Sequence, residues 1–164
     1  MSVLRFASLL ALAVWVGGLA VLGGVGAPAL FSVLEGRDPA GGRALAGELF
    51  GEIFLRFQHL AWLLGGAFVV LLITRRMLGP RPRPFAVRLA GASVMLALSL
   101  VAGLVLAPRI DAIRRETNGA VAALDDADPR KTEFGRLHGL SNALMGVTLV
   151  VGAGLIWLEM KDPH

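Results

Sequence analysis

The chain has 164 residues, 55% of them apolar and only 17% charged, with a formal net charge of +4. A mean hydropathy of +0.70 excludes an ordinary soluble domain and points to the membrane. The absence of cysteine excludes disulfides, thiolate metal sites and cysteine nucleophiles.

The charges fall in blocks. Residues 6–34, 57–74, 89–108 and 137–158 carry no Asp, Glu, Lys or Arg. About 20 residues of helix cross about 30 Å of hydrocarbon, and none of these runs shows a polar face at helical period. The expected fold is therefore all-α: an integral membrane four-helix bundle, one domain over residues 1–164. The N-terminal run is too long for the h-region of a signal peptide, so it reads as the first span.

That first span carries Gly17, Gly18, Gly23 and Gly24. Small residues spaced four apart let helices approach closely in lipid, so these glycines are helix-packing candidates. Pro28 is expected to end or kink this span, and Pro108 the third. Asp38-Pro39 reads as a helix N-cap followed by proline at the first helical position. The helix it starts should run outside the membrane through Glu48 and Glu52 and into the second span. Leu45, Leu49, Phe50, Ile53 and Phe54 line one side of this extension.

The connection between the second and third spans, RRMLGPRPRPFAVR, holds Arg75, Arg76, Arg81, Arg83 and Arg88 and no acid. Five arginines in a short loop predict a cytoplasmic position and contact with anionic lipids, not nucleic acid. Both termini then lie in the cytoplasm of a bacterial-type inner membrane. After the third span, Ile110, Ile113, Val121 and Leu124 suggest a short amphipathic helix, broken near Asn118-Gly119. Asp128-Pro129 repeats the cap signal, and the last helix enters the membrane near Arg136.

A shift of 80 residues aligns two motifs. GxVxAP occurs at residues 23–28 and 103–108, and FxRxxxLxxxLxG at 54–66 and 134–146. We expect two tandem, parallel helical-hairpin repeats, about 1–80 and 81–164. The second motif contains GRLHGLSNALMGV, which sets His138, Ser141 and Asn142 inside an apolar run. His138, Asn142 and Met145 share one helical face, and polar groups facing lipid are costly. That face is expected to look into the bundle, near its outer end.

Two chemistries suit these residues. They are either interhelical hydrogen bonds or a pocket for a small solute or metal ion, formed by His138, Asn142, Ser141, Gln58, His59 and Met145. Arg56 and Arg136 would stand at its outer mouth or snorkel to phosphate. His138, His59, Met145 and Met95 are the candidate metal ligands and suit Cu(I) better than hard cations. Two histidines could also hold a haem. No cofactor is firmly implied, and no acid is expected within the spans. Glu48, Glu52, Asp125, Asp126 and Asp128 read as solvated or cap charges. No catalytic constellation is visible, so an enzyme is not expected.

WVGG at Trp15–Gly18, APALF at residues 27–31, AP at 107–108 and FGRLHGLSNAL at 134–144 resemble the bacterial domain-of-unknown-function family 4149, with transmembrane protein 205 among its relatives. WVGG is also similar to copper resistance protein D, whose further histidines and methionines are sparse here. The resemblance implies a small four-helix membrane protein. For the eukaryotic relatives it implies a link to platinum-drug resistance. It singles out Trp15, Gly17, Gly18, Pro28, Arg136, His138, Ser141 and Asn142 without assigning roles. Three readings follow: small-solute or metal handling, a structural or assembly subunit of a membrane complex (as a homo-oligomer or with a membrane partner), or an intramembrane haem or quinone protein.

Overall fold

A computed structural model describes residues 3–78 and 84–161. Among them all regular structure is helical. Four stretches are long and apolar enough to cross a membrane: Val3–Arg37, Gly42–Leu78, Phe85–Glu116 and Pro129–Lys161. Each outlasts the hydrocarbon. The second, at 37 residues, is about 55 Å long at 1.5 Å per residue.

The helices are α1 (Val3–Val21), α2 (Ala27–Arg37), α3 (Gly42–Leu78), α4 (Phe85–Val101), α5 (Ala107–Glu116) and α6 (Pro129–Lys161). Helix α1 packs on α3 and α6, and α4 packs on the same two. The ring order is therefore α1–α3–α4–α6, up and down, with α1 diagonal to α4 and α3 diagonal to α6. One end of the bundle, here the terminal end, holds Val3 and Lys161 with the neighbouring ends of α3 and α4, Leu78 and Phe85. The distal end holds the other two connections.

Of the two outcomes expected at the prolines, a helix end does not occur. Neither Pro28 nor Pro108 ends its helix. Each is preceded by a single π-helical turn, at Leu22–Gly26 and Ala102–Leu106, and the helix then continues as α2 or α5. The Ala27 N–H reaches back five residues to the Leu22 carbonyl, and the Ala107 N–H to Ala102. Proline has no N–H and its ring crowds the carbonyl four residues back. Widening the preceding turn makes room for it. The GxVxAP motif thus encodes a local backbone device, and it does so at both positions.

Asp38 caps a tight turn rather than the first turn of α3. Its Oδ1 accepts from the N–H groups of Ala40 and Gly41 at 3.1 and 3.0 Å, and α3 starts at Gly42. Asp128 behaves as expected, accepting from the Arg130 N–H at 2.8 Å as α6 begins. Asn118 and Gly119 break the chain after α5 with φ of 49° and 79°. Behind that break Ile110, Ile113 and Val121 pack with Leu106 and Leu137 at the distal end. The main core fills the middle and terminal half: Leu12, Trp15, Ala61, Phe68, Leu72, Ala92, Met95 and Leu155.

The glycines of α1 divide. A Cβ on Gly18 would sit 2.5 Å from the Phe57 ring, and one on Gly23 would sit 2.9 Å from the Met145 methyl. These two are close-packing positions. Gly17 and Gly24 have nothing within 4 Å and contribute no packing within the chain. On the distal extension of α3, Leu45, Leu49 and Ile53 are exposed, while Ala46 and Gly47 are buried.

Candidate functional site

The buried residues of the spans recur every three or four positions, as one helical face requires. They trace four lines down the bundle axis: Arg5, Ser8, Leu12, Trp15 and Leu19 on α1; Gln58, Ala61, Gly65, Phe68 and Leu72 on α3; Arg88, Ala92, Met95, Ser99 and Ala102 on α4 and its π turn; Thr148, Gly152, Leu155 and Glu159 on α6. Polar side chains occupy both ends of this axis and apolar ones the middle.

Towards the distal end, Gln58 and Ser99 pair across α3 and α4. The Ser99 hydroxyl donates to Gln58 Oε1 at 2.8 Å, and the Gln58 amide donates to the Ser99 carbonyl at 3.4 Å. Both side chains are buried. They line a cleft with Ser141, Met145 and Thr148 of α6, Leu19 of α1 and Ala102 of the π turn. All four spans contribute. The free volume is about 10 Å³, the room of a single water. No charged side chain lines it. The Thr148 hydroxyl donates to Leu144 of its own helix at 2.8 Å. Beside the cleft, the Trp62 indole packs on Gly103 of the same π turn, and its buried Nε1 has no partner among the described residues.

Of the expected pocket residues, Gln58, Ser141 and Met145 come together here. The others do not. His138 and Asn142 are exposed and turn off the bundle. The buried line on α6 runs through Leu137, Thr148, Gly152, Leu155 and Glu159, with half-buried Ser141 and Met145 between them. His138 and Asn142 each follow that line by one residue, a rotation of about 100° at 3.6 residues per turn. His138 stacks on Phe134 at 6.0 Å, and Arg114 lies over the other end of this cluster, 5.6 Å from the Phe134 ring. His59 is also exposed and meets Trp62 edge-on at 5.0 Å.

His59 and His138 lie on diagonal helices, so a two-histidine haem site is not assembled. Met95 packs against the Gly152 position and Met145 against Gly23. Among the described residues no group of three or more His, Cys, Asp or Glu gathers. Arg56 and Arg136 are exposed, and Arg56 is held by Glu52 at 2.8 Å. Arg114, which the sequence did not single out, ties the distal connections together by donating to the Gly47 carbonyl at 2.8 Å.

The terminal end holds the feature the sequence concealed. Glu159, the first charge after the uncharged run 137–158, is fully buried. Its Oε1 accepts from Arg88 Nη1 at 2.6 Å and its Oε2 from Arg75 Nη1 at 2.7 Å. Arg5 donates from Nε and Nη2 to the Glu159 carbonyl at 3.1 and 2.8 Å, and from Nη2 to Met160 at 3.0 Å. Arg88 adds a bond to the Leu158 carbonyl at 2.8 Å. The last carbonyls of a helix have no donors of their own. Here arginines from α1 and α4 supply them, and α3 joins through Arg75. Through its carboxylate and its backbone carbonyl, Glu159 thus joins all four spans.

Arg75 and Arg88 are therefore not lipid-facing, which corrects the expectation for those two. Arg76 lies over the Phe85 ring at 4.6 Å. Arg81 and Arg83 lie outside the described residues. The signal for the clasp was helical phase: Arg5, Arg88 and Glu159 each continue the buried line of their own helix.

Comparison with known families places the chain. A family model described as a domain of unknown function (DUF4149) matches residues 10–118. The chain belongs to that family and is a multi-pass membrane protein. No curated protein and no solved structure matches it.

Proposed function

We propose that this DUF4149 protein handles a small neutral polar solute on the axis of its bundle. The observation that carries the reading is the convergence of Gln58, Ser99, Ser141 and Thr148, from three helices, around one water-sized void. Buried polar groups inside a membrane bundle mark solute and ion paths. The uncharged lining and the small free volume favour water-sized neutral molecules over ions. The site is a neutral cleft near mid-length of the four helical stretches, without His138, His59 or Asn142. No metal site and no catalytic role are proposed. The arginines at the terminal end favour a cytoplasmic location for both termini in a bacterial-type inner membrane.

A two-hairpin ancestry supports an axial site. The ring order α1–α3–α4–α6 is what a pseudo-twofold along the membrane normal requires, and the two π turns fall 80 residues apart at diagonal positions. Purified protein in liposomes tests the reading by osmotic light scattering with water and urea. Permeability above that of empty liposomes, reduced in Gln58→Leu and kept in His138→Ala, supports it. Permeability equal to that of empty liposomes overturns it.

One observation favours a second reading, an assembly subunit. Asn142 is exposed inside the last span, between Gly139 and Gly146, which have open space around them. An amide facing hydrocarbon is costly, and a partner helix would relieve that cost. On this reading Asn142→Leu changes the sedimentation of the detergent-solubilised protein, whereas on the axial reading it does not.

A further inference from the structure

We infer that the Glu159 clasp is the gate that closes the terminal end of the bundle axis. The inference rests on the axial reading for what an opened path would carry; the opening itself needs no solute.

Three features make the clasp a switch rather than a staple. First, it is ionic where apolar packing would hold four helices equally well. Buried ion pairs are a poor source of stability, and their best-attested use is to fix or switch one arrangement. Second, both of its ion pairs share one carboxylate. Arg75 reaches Oε2 from α3 and Arg88 reaches Oε1 from α4, so loss of that carboxylate removes two interhelical ion pairs at once and leaves Arg88 its bond to the Leu158 carbonyl. Third, it sits directly under the axis. Ser8, one turn deeper than Arg5, is fully buried, and Leu12, Leu72 and Leu155 follow.

Above that layer the helices pack closely through glycine positions. Met95 fills the space beside Gly152, and Trp15 fills the space beside Gly65. From the polar layer at Gln58 and Ser99 the axis thus runs through apolar packing to a charged latch at the terminal end.

The absence of native cysteine makes the test direct. A single reporter, Ser8→Cys, sits beneath the clasp. A second, Ala61→Cys, sits in the mid-bundle core, where Ala61 is fully buried. Alkylation of each by N-ethylmaleimide is followed in lipid nanodiscs, in the wild-type background, in Glu159→Gln and in Arg75→Gln. Arg75→Gln leaves the Arg88–Glu159 pair in place and guards against a variant that fails to fold. The expected result is at least tenfold faster labelling at position 8 in one or both variants, with position 61 unchanged. Any other pattern overturns the inference: no acceleration at position 8 in either variant, or acceleration only where position 61 accelerates as well. Failure of the solute reading alone would leave this result standing.

Discussion

Glu159 Oε1 and Arg88 Nη1 lie 2.6 Å apart, and neither side chain touches solvent. The two residues come from helices at opposite ends of the sequence pattern, one at the start of the third span and one at the end of the fourth. Breaking such a pair by removing one partner leaves a buried charge uncompensated, at about 3–5 kcal/mol. Arg88→Met and Glu159→Met are each expected to lower stability by that order, read from the unfolding midpoint in detergent. The double variant should cost clearly less than the sum, since neither residue then strands the other. Additive effects would mean that the pair contributes no coupling.

Gln58 and Ser99 make the same argument without charge. Ser99→Ala leaves Gln58 Oε1 buried without its 2.8 Å donor, at about 1–3 kcal/mol. Gln58→Leu with Ser99→Ala removes both polar partners and should approach wild-type stability. A double variant as unstable as the sum of the singles would contradict the pairing.

The glycines of α1 should respond in opposite ways. Gly18→Ala drives a methyl into the Phe57 ring, with 2.5 Å between the heavy atoms. Overpacking of this kind costs about 1–3 kcal/mol. Gly17→Ala meets nothing within 4 Å and should be neutral or slightly stabilising through helix propensity. Equal thermal shifts for the two variants would refute this division.

Pro108→Ala restores an N–H that can bond four residues back. The π turn at Ala102–Leu106 should then relax to regular α-helix, rotating α4 relative to α5. Spin labels on Leu100 and Arg109, both exposed, would report a changed separation. An unchanged distance would show that packing, not proline, holds the π turn.

At the distal end, hydrogen bonds from Arg130, through its side chain and its backbone N–H, hold the Asp128 carboxyl below the usual carboxylate range. A depressed pKa in the folded chain means the cap is fully formed above the unfolded value of about 3.9. It is lost only as pH falls through the lower folded value. Amide exchange at Arg130 should stay protected at pH 4 and quicken in Asp128→Ala at neutral pH.

The spans were legible because hydrocarbon thickness sets the length of an uncharged run, and residues 57–74, 89–108 and 137–158 carry that signal outright. The caps at Asp128-Pro129 and the break at Asn118-Gly119 were legible for equally local reasons. The clasp was not, because a positive-inside loop explains Arg75 and Arg88 as well as a buried ion pair does. Only their phase with Ala92, Met95 and Ser99, or with Gly65, Phe68 and Leu72, distinguishes the two cases. The same phase, read one residue late at two positions of α6, turned His138 and Asn142 inward, where Ser141 joins the expected Met145 in lining the cleft. The π turns were hidden because proline in a helical pattern reads as a stop or a kink. Nothing local says that a widened turn will absorb it.

The most direct measurement of the axial claim is the rate of osmotic shrinkage of liposomes carrying wild-type protein, Gln58→Leu, His138→Ala or no protein, with water and urea as probes. Wild type and His138→Ala are expected to exceed empty liposomes by a similar factor, and Gln58→Leu to lose most of that excess. Equal rates for all four, or a loss confined to His138→Ala, would contradict it.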